Sequence, residues 1–395
     1  MIKTLRTYKV ELKPTDYQAW LIDKHIGGSR WAYNLFLDIN KQRYEDGYHY
    51  MGAYEFSKWF NHEYLKYNPN DNWVKELYAK SVKQAFIDAD TSMKIFFKHQ
   101  SHFPHFRSFK RGQGSYCFVK NSKKQIIHVE RHRIKLPKLG WVRLKEYGYI
   151  PTDTEHFVVK QGRIKYHAGR YYLTCLVEQA EPVKLKLTGE PIGIDLGIKE
   201  FAIMSNGTIY PNKNKSYKVR RCRKRLKRLQ RRASRQYLAF KCRKQKEGKS
   251  ATDLNLAKTS RRMQRLYQRL QNIQNDYQNK IVANVVRTKP CWVSLEDLNV
   301  KGMIKNRHLA KAVMYQGFYN FRVKLINKCQ QLGIPVHLIK RFEPTSKCCH
   351  NCGYKKIDLT LADRIFKCPK CHYIEDRDIN ASLNIRDTEN FVLAY

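Results

Sequence analysis

The chain opens on a strand-like pattern over residues 4–13, where Leu5, Tyr8, Val10 and Leu12 are separated by basic side chains, and Pro14 followed by Thr15 ends the run. The period then lengthens to that of helices, over about Asp16–Asp46, Tyr54–Tyr67 and Trp73–Lys98, with Trp31, Tyr33, Phe36, Phe56, Trp59, Phe60, Phe86, Phe96 and Phe97 on the apolar faces. From about Tyr116 to Glu178 the period returns to two, in runs such as IIHVERHRIKL, WVRLKEY and HFVVKQGRIKYHAGRYYLTCLVEQ, divided by Gly and Pro turns. A small antiparallel barrel that includes the first strand and carries a helical insertion is the expected architecture of this half.

The pattern of the second half differs. Residues 190–210 read as a hairpin, EPIGIDLGIKEFAIMSNGTIY, with turns at Gly197 and at Asn206 and Gly207. Two long helices follow: Leu226, Leu229, Ala233, Tyr237 and Phe240 keep helical spacing, as do Leu266, Leu270, Ile273, Tyr277 and Ile281. Apolar strands at 289–300 (KPCWVSLEDLNV) and 334–340 (IPVHLIK) complete an α/β order. The chain is therefore expected to be an α+β multidomain protein: a barrel of residues 1–15 and 101–182, a helical lobe of 16–100, an α/β domain of 183–344 and 373–395 with a helical hairpin at 216–287, and a cysteine-bearing insertion at 345–372.

Charge sharpens this picture. The 395 residues hold 77 Lys and Arg against 34 Asp and Glu, a formal +43 that far exceeds what solubility requires and points to a polyanion partner, most simply nucleic acid. The extreme is Lys218–Lys246, fifteen basic residues and no acid. Like charges at that density repel unless phosphates screen them, which favours a ligand over a merely solvated face. No apolar stretch has the length of a signal peptide or a membrane span, so a cytoplasmic, nucleoid-associated protein without a membrane partner is expected.

Against that background three acidic positions stand out. Asp195 sits within the apolar run IGIDLGI, Glu296 and Asp297 at the polar end of a buried strand, and Asp376 and Asp378 at the start of a helix. Singly, each has an ordinary account: a turn cap, an arginine partner, a helix N-cap. If the two strands are neighbours and the helix packs on them, Asp195, Glu296 and Asp378 form one carboxylate cluster suited to Mg²⁺, with two ions serving phosphodiester cleavage. The cysteines carry the most specific signal: Cys349-x2-Cys352, fifteen residues, then Cys368-x2-Cys371 is zinc-ribbon spacing for a structural Zn²⁺. Cys348 offers an alternative register, and His350 and His372 are possible stand-ins.

The motifs GIDLGI, SLEDLNVKGM, FEPTSKCCHNCG, FKCPKC and DRDINASLNI, in this order, with YKVELKPTDYQ, GGSRWAYNLFL, FPHFRSFKR and IKLPKLGWVRL before them, resemble the TnpB (OrfB) proteins of bacterial insertion sequences, relatives of compact type V CRISPR effectors. The resemblance spans nearly the whole chain. It implies a RuvC-like nuclease domain of the RNase H type with an inserted zinc ribbon, and an RNA-guided DNA endonuclease that takes a guide RNA from the element's end and cuts double-stranded target DNA beside a short motif. By motif match it gives Asp195, Glu296 and Asp378 the catalytic positions, with Asp376 as the rival of Asp378, and Cys349, Cys352, Cys368 and Cys371 the zinc. Nucleic-acid contacts are expected from Lys80, Ser81 and Gln84, and from Arg220, Arg221, Arg225, Arg228 and Arg232; Tyr116 and Phe118, or Tyr166 and Tyr171, are candidates for base stacking as well as for core. A guide-dependent repressor or transposition accessory protein would share the charge and the zinc without needing the acids.

Overall fold

The computed structural model describes residues 3–108, 114–120, 127–153, 155–248, 253–341, 343–360 and 363–394. The chain divides into two compact units, Met1–Glu181 and Pro182–Tyr395.

The first unit starts with β1 (Lys3–Lys13), whose partners come from far along the chain. Helix α1 (Asp16–Glu45) follows, opened by a capping box in which the Thr15 side chain accepts from the Gln18 amide and the Gln18 side chain accepts from the Thr15 amide. The expected second helix is α2 (Ala53–Trp59), which continues through a π turn into α3 (Leu65–Tyr67). The third expected helix starts later than its apolar pattern: Pro69–Glu76 is 3₁₀, and α4 occupies Ala79–Phe97. Phe36, Phe56, Phe60 and Phe86 meet in a core that these helices share.

The period-two region becomes β2 (Ser115–Val119), β3 (Arg133–Leu136), β4 (Gly140–Leu144), β5 (Val158–His167) and β6 (Arg170–Ala180). With β1 they form one antiparallel sheet in the order β2-β5-β6-β1-β4-β3. It is a curled half-barrel and not the closed barrel expected: among the described residues no pairing joins β2 to β3. Alternation of inward and outward side chains specifies which face is buried, but not whether the two edges meet. Tyr116 and Phe118 lie in its core, at 2% and 1% exposure, so neither is a stacking surface.

The second unit is built on a mixed sheet of order β14-β11-β10-β7-β8-β9. Its first strands are β7 (Ile192–Leu196), β8 (Glu200–Met204) and β9 (Ile209–Pro211). The hairpin α5 (Tyr217–Glu247) and α6 (Leu254–Arg287) follows, each helix about 45–50 Å long. Among the described residues of α5 only Val219, Cys222 and Leu226 are buried, and the apolar stripe thins outward until Tyr237 is exposed. Strand β10 (Val293–Glu296), helices α7 (Val300–Lys305), α8 (Ala310–Gln316) and α9 (Phe318–Leu332), and β11 (Val336–Ile339) complete the α/β core. The cysteine segment ends in a small hairpin, β12 (Ile365–Lys367) with β13 (Ile374–Asp376), which hands the chain to α10 (Arg377–Asp387) and the edge strand β14 (Phe391–Leu393). Among the described residues no helix is long and apolar enough to cross a membrane.

Candidate active site and metal centre

Two parallel strands and one helix start converge on the acids. β10 pairs with β7 in the register Val293↔Ile192, Ser294↔Gly193 and Leu295↔Ile194, so the next step sets Glu296 beside Asp195 at the carboxyl ends of the strands. Helix α10 crosses both strands and β8. Its approach depends on Gly193: a Cβ there would lie 2.0 Å from the Ser382 carbonyl oxygen and 2.6 Å from the Arg386 amide nitrogen. Glycine in a strand interior costs stability and marks close approach of another backbone, which is its use here. The Arg386 carbonyl accepts from Trp292 Nε1 at 3.3 Å, tying the helix to the start of β10.

Burial and charge connect three of these acids. Asp195 is pushed up to about 8, first by desolvation and then by the charges of Glu296 and Asp378, against the lowering pull of the Arg377 guanidinium and the Leu196 amide. Burial also raises Glu296, opposed by the Thr345 hydroxyl, which donates to its Oε1 at 2.7 Å. Asp297 faces different partners: Arg322 and Arg341 both donate to it. The neighbouring acids of the last motif likewise divide their work. Asp376 caps α10, its Oδ1 accepting from the amides of Asp378 at 2.8 Å and Ile379 at 3.2 Å. Asp378 accepts at Oδ1 from Arg377 Nε at 3.2 Å and Nη2 at 3.1 Å, and its charge is the one that reaches Asp195.

A carboxylate held this far above its ordinary range is a group whose charged form the protein alone does not satisfy. Hard oxygen donors in that state match Mg²⁺, whose positive charge would reverse the repulsion.

The four cysteines form a separate centre. The Sγ atoms of Cys349, Cys352, Cys368 and Cys371 lie within 4.8 Å of one another, with Cys349 to Cys371 at 3.6 Å and Cys352 to Cys368 at 3.5 Å. The edge of a tetrahedron of four thiolates on Zn²⁺ is about 3.8 Å, so the set fits that ion. Backbone amides already point at the sulfurs: those of Asn351 and Cys352 at Cys349, Tyr354 at Cys352 and Tyr373 at Cys371. Cys348, His350 and His372 lie outside the cluster. The Cys348 carbonyl is instead an acceptor for Asn380 and Asn384 of α10, each at 2.7 Å.

Those two asparagines are residues that motif reading passed over. Asn384 also donates to the Thr345 carbonyl at 2.7 Å, and Asn380 accepts from the His350 amide at 3.0 Å. One helix thus holds both Asp378 and the segment whose Thr345 holds Glu296. The only sequence signal was their spacing of four on a helix, which puts them on one face.

The expected nucleic-acid contacts divide as well. Arg220, Arg221, Arg225, Arg228 and Arg232 are all exposed, and the first four share a cleft with Lys215, Tyr217 and Lys224. Lys80 donates to the Lys120 carbonyl at 2.8 Å and Gln84 to Asp88 at 3.1 Å. Ser81 is turned inward: it is 1% exposed and its hydroxyl donates to the Tyr78 carbonyl at 2.7 Å, completing the first turn of α4 instead of offering a contact. Tyr166 and Tyr171 are a half-buried tilted pair, and the Tyr171 hydroxyl donates to Asp23 at 3.0 Å.

Three family models match parts of the chain: a probable transposase family of the OrfB type over residues 174–307, a Cas12f1-like TNB domain over 318–385, and a helix-turn-helix domain over 1–48. Within that last span the described residues form one strand and one long helix, β1 and α1. InsQ of Escherichia coli (strain K12), named as a candidate RNA-guided DNA endonuclease, is 26% identical over 408 residues, covering 100% of this chain and 94% of the relative. A Streptomyces pristinaespiralis protein of the same designation is 27% identical over 397 residues, covering 98% and 89%. Among solved structures, a Cas12f1 complex with single-guide RNA and target DNA matches with a TM-score of 0.54 at 14% identity, covering 99% of this chain and 100% of that one, a likeness of fold.

Proposed function

Because the chain belongs to the TnpB (OrfB) family, we propose that it is an RNA-guided DNA endonuclease of a transposable element, whose second unit is a RuvC-like, RNase H-type nuclease domain. The partners in this reading are a guide RNA from the element's end and double-stranded target DNA. The observation that supports the catalytic assignment is the strand register that sets Glu296 beside Asp195, with Asp195 raised first by burial and then by the charges of Glu296 and Asp378. Arg377 is the guanidinium that pairs with Asp378 and lowers Asp195, and a divalent cation would offset the remaining repulsion among the three carboxylates.

Asp195, Glu296 and Asp378 are the residues that would hold Mg²⁺. The chemistry that ion supplies when bound is activation of a water and neutralisation of charge on the leaving oxygen of a phosphodiester. The rest belongs to the chain. The Thr345 hydroxyl orients Glu296, Arg377 orients Asp378, and the cap at Asp376 sets the direction from which Asp378 approaches. Cys349, Cys352, Cys368 and Cys371 would hold a structural Zn²⁺ that fixes the loop carrying Thr345. The arginines of the α5 cleft supply phosphate contacts along a bound strand.

The test is to co-express the chain with its flanking DNA, sequence the RNA that co-purifies, and assay cleavage of a plasmid library with a randomised motif beside a guide match. Cuts that require Mg²⁺ and fall at one motif are expected. Asp378→Ala should lower the rate by about two orders of magnitude or more, the scale of a missing transition-state electrostatic interaction. Asp376→Ala should lose a cap, about 1 kcal/mol of stability, and still cut. The reverse ranking of the two variants overturns the assignment. A defined RNA bound without any cutting moves the function to guided binding.

A further inference from the structure

A cavity of about 420 Å³ lies at the foot of the helical hairpin, walled by α5, α6, α8 and the 3₁₀ turn at Lys213–Lys215. Val219, Leu226, Leu270 and Ile273 make its sides apolar, and Tyr267, Met314 and Tyr315 stand around it. Tyr267 of α6 and Met314 of α8 are 49% and 63% exposed, large apolar groups left in water.

Amides and cations make up much of the rest of the lining, and Asn214, Gln274, Gln278 and Gln316 are hydrogen-bonded within the protein. Gln271 and Asn320, both exposed, have side-chain amides without a hydrogen-bond partner among the described residues. Arg223 enters the wall with its guanidinium 3.4 Å from the Tyr315 ring centroid and its Nη2 donating to Asn214 at 2.7 Å. Its Nε is shielded from water and has no acceptor among the described residues. Native structures seldom leave a charged donor in that state, because the desolvation is uncompensated. Lys213 also lines the cavity, so cation and aromatic surface sit together.

This combination selects a ligand class. Apolar walls with ring faces suit a flat, neutral heterocycle, free amides suit its edge donors and acceptors, and the lysine suits an anion attached to it. A purely anionic ligand would not use the walls, and an aliphatic one would leave the free amides unmet. We propose that this cavity receives one unstacked nucleobase of a nucleic-acid strand held by the hairpin, with Gln271 and Asn320 at the base edge and the exposed Lys213 toward its phosphate. The inference rests on the nucleic-acid reading above only for the presence of a strand, and RNA and DNA share the required chemistry.

The purified ribonucleoprotein, alone and with target DNA, is irradiated with ultraviolet light, and nucleotide–peptide adducts are located by mass spectrometry. Adducts are expected on the peptides carrying Tyr267, Met314 or Tyr315, and the ribose or deoxyribose mass of the nucleotide assigns the strand. A Gln271→Ala, Asn320→Ala double variant is expected to lose those adducts and to bind that strand about tenfold more weakly, the effect of removing one base-edge interaction, with an unchanged melting temperature because both side chains are exposed. Labelling of α5 peptides with none at the cavity overturns the proposal, as does a double variant with parental adduct yield and affinity. Absence of cleavage by the unmodified complex would instead fail the nuclease reading and leave the adduct map intact as the test of the cavity.

Discussion

At the scale of single residues, Asp195 has a measurable consequence before any metal is added. Its carboxyl is pushed up to about 8 from an ordinary 3.8, so the folded chain keeps a proton that the unfolded chain has released. Ionisation of Asp195 therefore opposes folding: the cost is absent below the unfolded value, grows as pH rises through that window, and is constant above about 8. In magnesium-free buffer Asp195→Asn should melt a few degrees higher than the parent above about pH 8 and at the same temperature below about pH 4, while cleavage by the variant is abolished. An equal or lower melting temperature at high pH would mean that the carboxylate is already compensated by the protein. The proposed site's acids stand out in the sequence because a carboxylate inside IGIDLGI or beside a buried strand end is costly without a partner. Which member of each acidic pair faces inward is not legible there: Glu296 differs from Asp297, and Asp378 from Asp376, only by the partners that packing brings, Thr345 against Arg322 and Arg341, and Asp195 against the α10 amides.

At the scale of elements, the site depends on how closely α10 lies on β7. The added methyl of Gly193→Ala would meet backbone atoms of Ser382 and Arg386, which cannot rotate away as a flexible side chain can. The helix must lift or the strand must bend. Overpacking of this kind costs about 1–3 kcal/mol, and because Asp378 rides on the first turn of the lifted helix, cleavage should fall further than the stability change explains. Comparing thermal melting with cleavage rate for Gly193→Ala tests this; a variant that cuts at the parental rate would show that the approach of α10 does not set the site. The elements themselves were largely visible in the sequence, through their periods, the Thr15 cap and the Pro14 stop. What escaped was long-range: Asn380 and Asn384 read as ordinary helix residues until the loop at Thr345–Cys348 is brought against them, and the open edges of the β2-β5-β6-β1-β4-β3 sheet follow from closure geometry that alternation does not encode.

At the scale of the whole molecule, the net charge of +43 needs somewhere to act, and α5 is where its density is greatest. Val219, Cys222 and Leu226 bury only the base of that helix, so the repulsion among so many like charges in one exposed element is not offset by packing. Counterions screen that repulsion in the free protein, and a polyanion replaces them on binding, with counterion release as the driving term. Binding of the co-purified RNA should therefore weaken steeply with salt. If Arg220, Arg221, Arg225, Arg228 and Arg232 each neutralise a phosphate, replacing all five with Ala should reduce the slope of log affinity against log salt by about 0.7 for every phosphate of a single strand left without its arginine. Filter binding across a salt series gives both quantities. A variant that binds more weakly by the same factor at every salt concentration would mean that these arginines act on the fold or on base edges and not on the backbone of the strand; an unchanged slope and affinity would place the RNA on another face of the molecule altogether.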